Sequence, residues 1–140
     1  MRPLTEADVR MYLMDRASTD NIYLMDLAYT SDEIHAAMRS AVREFNSIPP
    51  LGVGHFHPDC LPGDTNLFLD GITAALLRME LSKRRRNDVD YQMAGASAST
   101  EATRIKHIEN DIKMYADRFK EAATNLKITL NLNIYFGPIV

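Results

Sequence analysis

The chain has 140 residues, 46% hydrophobic and 25% charged, with a formal net charge of -3, a balance that excludes a disordered chain and a globally basic nucleic-acid binder. Its single cysteine, Cys60, excludes an internal disulfide and fits a cytoplasmic product. No span approaches the ~20 apolar residues of a membrane helix, and MRPLTEADVR lacks the apolar centre of a signal peptide, so the expectation is a soluble intracellular protein.

Thr5 opens T-E-A-D, a side-chain oxygen followed three residues later by an acid, and Val9, Tyr12 and Leu13 then share one face. That pattern predicts a short capped helix. DRASTDN, residues 15 to 21, is rich in turn formers and ends it, and the following IYLMDLAY is too short to assign by period. T-S-D-E from Thr30 predicts a second cap with acids in the first turn, where the helix dipole favours negative charge. Ile34, Met38, Ala41, Val42 and Phe45 continue it at helical spacing until Pro49 and Pro50, which cannot continue a helix, stop it.

LGVGHFHPDCLPG, residues 51 to 63, reads as a surface loop in which Val53, Phe56 and Leu61 form either a short strand or an apolar plug. A third helix begins near Asp64. Phe68, Ile72, Ala75, Leu76 and Met79 lie on one face, and Leu67, Leu69 and Leu77 widen it as a central, doubly covered helix requires. It runs out into SKRRRND. After the small-residue stretch YQMAGASAST, Ser99 or Thr100 is expected to cap the last helix, whose seam is Ile105, Ile108, Ile112, Tyr115, Phe119, Ala122 and Leu126.

The ending TLNLNIYFGPIV alternates Leu130, Leu132, Ile134 and Phe136 with Asn131, Asn133 and Tyr135. Alternation of this kind predicts an extended strand. The weak internal partners are Ile22 to Leu27 and Val53 to Phe56, and the alternative is pairing with another chain, with Gly137 and Pro138 ending the strand. The expected fold class is therefore all-α: a small helical bundle over residues 1 to 128 and an extended C-terminal β-strand arm over residues 129 to 140.

Three features invite a chemical reading. His55, His57 and Cys60 lie close together beside Asp59, but no second cluster completes a four-ligand zinc site, and the spacing is no known Cys-His catalytic signature. A solvated polar loop is the simpler account, with a metal-dependent enzyme as a minor alternative. Lys83, Arg84, Arg85 and Arg86 form the only dense positive run. Such a run reads either as a solvated helix end or as a phosphate or partner contact. A small helical nucleic-acid-binding regulator using this run is the alternative functional reading. Gly52-Val53-Gly54 is too short for a phosphate loop. Neither an enzyme nor a cofactor is expected.

The segments SDEIHAAMRSAVREFNSIPP (31 to 50), LFLDGITAALLRMELSKRRRNDVDYQ (67 to 92) and LKITLNLNIYFGPIV (126 to 140) carry a resemblance. In their order the chain resembles the head-to-tail connector proteins of tailed bacteriophages, the adaptor or neck proteins, over roughly its last three-quarters. The resemblance implies a structural virion protein at the neck, made in the host cytoplasm and assembled as a homo-oligomeric ring, a dodecamer, beneath the portal protein. It also implies a C-terminal arm that contacts another neck or tail protein, genomic DNA that passes without sequence readout, and no membrane. Leu130, Leu132, Ile134, Tyr135 and Phe136, with Lys83, Arg84, Arg85 and Arg86, are the expected partner-binding residues. The long GVGHFHPDC loop and the extra N-terminal helix depart from the simplest such protein and leave adaptor, stopper and tail-completion roles open.

Overall fold

A computed structural model describes residues 2 to 15, 28 to 63, 66 to 91 and 98 to 136. Within them the chain runs α1 (Glu6–Leu13), α2 (Ser31–Ser47), a short 3-10 turn (Pro58–Cys60), α3 (Asn66–Tyr91) and α4 (Ala98–Phe136). Ile22 to Leu27, the 92 to 97 linker, and Gly137 and Pro138 lie outside the described residues.

Both N-terminal caps form as their spacing predicts. Thr5 accepts from the backbone N–H of Asp8, whose carboxylate accepts from the Thr5 N–H at 2.9 Å. Thr30 and Glu33 repeat the reciprocal pair at the start of α2. Each box satisfies two of the backbone donors that a helix start leaves open.

The chain direction of the long helices follows from their side-chain pairs. Arg85 meets Glu109 and Asp70 meets Arg118, so α3 and α4 are antiparallel. Lys83 with Glu33 and Arg78 with Glu44 give the same sense for α2 against α3. The core lies between them. α2 contributes Ile34, Ala37, Met38, Ala41, Val42 and Phe45, and α3 is buried all round from Leu67 to Leu76, as the width of its apolar stripe predicts. From α4 come Phe119 and Ala123. Four phenylalanines link the layers: the Phe45, Phe56 and Phe68 rings lie 5.2 to 5.3 Å apart, and Phe119 follows at 6.4 Å from Phe68. Gly71 lets α4 come this close, because a Cβ there would lie 2.8 Å from two carbons of the Phe119 ring.

The 51 to 63 loop forms the plug rather than the strand. Val53 and Leu61 are buried and Phe56 packs on the core. The Asn46 side chain fixes it, donating to the Phe56 carbonyl at 3.1 Å and accepting from the Phe56 N–H at 3.2 Å. Leu4 donates to the Leu61 carbonyl at 2.7 Å, beside an isolated bridge between Pro3 and Pro62.

Three expectations are corrected. The all-α class stands for the described residues, but the C-terminal β-strand arm does not: α4 crosses residue 128 without a break, and Leu130, Leu132, Ile134, Tyr135 and Phe136 are helical. Extending a formed helix adds one hydrogen bond for each residue fixed, whereas a strand needs a neighbouring edge, and the described residues offer only the isolated Pro3–Pro62 bridge. The seam also shifts, because Ala123 is buried while Ala122 is exposed. Finally, α4 begins at Ala98, which places Ser99 and Thr100 inside its first turn.

Candidate partner-binding surface

Counting along the antiparallel pair from the Asp70–Arg118 contact, the start of α3 lies opposite about residue 122 of α4. The remainder of α4 therefore runs roughly 20 Å beyond α3 at 1.5 Å per residue. This overhang rests on the end of α2 and the loop that follows it. Lys127, fully buried, sends its ammonium to the Ile48 carbonyl at 2.5 Å and to the Asn46 carbonyl at 3.4 Å, and lies 5.0 Å from the centre of the Phe45 ring. Burial pushes its pKa below the ordinary lysine value, while the carbonyl oxygens and the ring face favour the charged form. One turn on, Leu130 packs against Gly54, whose φ of 63° and lack of a Cβ both suit the contact; a Cβ there would lie 2.9 Å from the leucine methyl.

Beyond Lys127 the sequence contains no Asp, Glu, Lys or Arg. Ile128, Leu132 and Tyr135, at helical spacing on the side away from Lys127, are 47%, 43% and 76% exposed. Ile134, on the inner side past the loop, is 68% exposed. The end of the helix thus exposes apolar side chains on two adjoining faces. Covering these four side chains would contribute about 4 to 7 kcal/mol before the costs of association.

The basic run has a different setting. Lys83 pairs with Glu33, Arg84 with Glu80 at 2.8 Å, and Arg85 with Glu109 at 2.6 Å, while Arg86 is exposed. Three of the four cations thus face carboxylates of their own chain, on a different part of the bundle from the α4 end. Arg118 pairs with the buried Asp70 at 3.3 Å, and the Tyr12 hydroxyl donates to the same carboxylate at 2.8 Å. Burial and that carboxylate push the Tyr12 pKa up to about 12, so its proton stays in place at neutral pH.

The histidine loop does not converge. His55 lies 2.8 Å from the Leu51 carbonyl, His57 pairs with Asp59 at 3.2 Å, and Cys60 is exposed. No group of three or more His, Cys, Asp or Glu side chains that could hold a metal occurs among the described residues. No described helix is long and apolar enough to cross a membrane.

Sequence reading named Leu132, Ile134 and Tyr135, and the structure brings them together with Ile128 at one helix end. Leu130 instead packs on Gly54 of its own chain. Ile128 was missed because the expected arm was set to begin at residue 129, although its spacing of four and seven to Leu132 and Tyr135 carries the signal. No family model, curated protein or solved structure matches the chain.

Proposed function

We propose that the chain is a structural subunit of the bacteriophage neck, an adaptor that assembles as a twelve-membered ring beneath the portal and docks the end of α4 on a neighbouring virion protein. The carrying observation is the uncharged, exposed end of that helix, with Ile128, Leu132, Ile134 and Tyr135 uncovered. A soluble monomer has no need of such a surface at the tip of its longest helix, whereas an assembly subunit covers it on joining its neighbour. The order of segments, which resembles that of neck proteins, supports the setting: DNA passes through the ring without sequence readout, and the protein works by holding shape. Exposed ion pairs contribute only about 0 to 1 kcal/mol, so Lys83 and Arg85 can exchange their internal carboxylates for acidic groups on an adjoining subunit at little cost. The alternative, a nucleic-acid-binding regulator using the same basic run, predicts salt-sensitive DNA binding by the isolated chain.

Leu132→Asp with Tyr135→Asp tests the reading. Both side chains are exposed, so the purified variant should keep its helicity and melting temperature yet fail to enter particles in a complementation assay. Normal incorporation of the double variant would overturn the proposed docking surface.

A further inference from the structure

α2 ends in an electrostatic deficit. Its last turn contains no basic residue, and the helical donor for the Asn46 carbonyl would come from residue 50, which is proline and has no N–H. Carbonyl oxygens at a helix C-terminus carry partial negative charge and attract cations. The cation comes from 79 residues further along the chain: Lys127 donates to Ile48 at 2.5 Å and Asn46 at 3.4 Å. Among the described residues no carboxylate pairs with it, so the carbonyls and the Phe45 ring are its partners. The neighbouring loop is tied to the same helix end, since Asn46 holds Phe56 through two hydrogen bonds and Gly54 receives Leu130.

We propose that Lys127 is a latch: by capping α2 from another helix, it fixes the last turns of α4 against the 46 to 56 loop and so sets the direction in which the apolar helix end is presented. Removing the ammonium leaves two carbonyls without their donor, takes the cation from the Phe45 ring face and releases the polar attachment of the overhang among the described residues, while the packing of Phe68 and Phe119 is untouched. Lys127 is a positioning residue, and it acts through Ile128, Leu132, Ile134 and Tyr135. Its part in docking rests on the neck-subunit reading, whereas the latch itself does not.

Hydrogen exchange on the full chain tests the latch directly. In Lys127→Met, protection of amides in 46 to 56 and 128 to 136 should fall roughly tenfold or more, the scale of a lost charged hydrogen bond, while amides in 34 to 45 and 67 to 76 keep theirs. Lys127→Arg should restore part of that protection, because it returns charge and donors. Equal protection in Lys127→Met and the parent, or a uniform loss across all segments, would overturn the latch. A second readout uses the parent protein, so it survives any folding failure of the variant. Amine acylation should modify Lys127 at least about tenfold more slowly than the exposed Lys113 and Lys120, and equal rates would overturn the proposal. Particle incorporation separates the two ideas. A local exchange effect with impaired incorporation supports both; the same effect with normal incorporation keeps the latch and overturns its role in docking.

Discussion

Gly71 and Phe119 form the tightest contact between the two long helices, and their chemistry fixes what each position tolerates. In Gly71→Ala the added methyl would gain about 1 kcal/mol of helix propensity, but it meets two ring carbons at 2.8 Å in a fully packed core. Overpacking of that kind costs about 1 to 3 kcal/mol, so the net change is expected to be destabilising by urea denaturation. Phe119→Ala should cost about 3 to 5 kcal/mol, and more than Ile112→Ala, because Ile112 is only half-buried. Combining Gly71→Ala with Phe119→Leu should cost less than the sum, since a smaller side chain relieves the clash. At this scale the sequence was partly legible. Phe119 stands on a visible heptad seam, whereas Lys127 reads as a surface residue, since nothing local shows that the end of α2 lacks a donor.

Among the elements, α1 and α2 were readable because a capping box is a local device: Thr5 with Asp8 and Thr30 with Glu33 need only each other. The second box also carries a pH dependence. Glu33 is held below the usual carboxylate range, first by its bond from Lys83 and then by the Thr30 N–H. A depressed folded value means that this stabilisation is present above the unfolded carboxylate range and is lost as pH falls through the folded value. The melting temperature is therefore expected to fall on acidification below about pH 4, with a shallower slope in Glu33→Gln. The α4 ending was misread because its residues satisfy two periods at once. Leu130, Leu132, Ile134 and Phe136 alternate as in a strand, while Phe119, Ala123, Leu126, Leu130 and Ile134 continue the seam of a helix. What decides between them is a contact distant in sequence, the seat that Gly54 and Asn46 build for Leu130 and Lys127. Deleting residues 128 to 140 should consequently lower the far-UV helical signal, whereas loss of a strand arm would leave it unchanged.

For the whole molecule, α1, the 48 to 63 loop and the three long helices share one core, joined through Leu4, Val9, Leu61 and the phenylalanine cluster. Heating should therefore give a single transition, with far-UV and tyrosine near-UV signals melting together; two separated transitions would place the N-terminal segment outside that core. Antiparallel packing has a mechanical consequence for α4. From Phe119 to Tyr135 the helix forms a lever about 24 Å long, and a tilt of about 5° at the Gly71 pivot would carry its end about 2 Å sideways, enough to misalign apolar side chains with a fitted socket. Because Lys127 and Leu130 clamp the shaft halfway, the free arm is reduced to about 12 Å and the same tilt displaces the end by about half as much. Aiming accuracy at the far end thus depends on the stiffness of a loop more than 70 residues earlier in the chain.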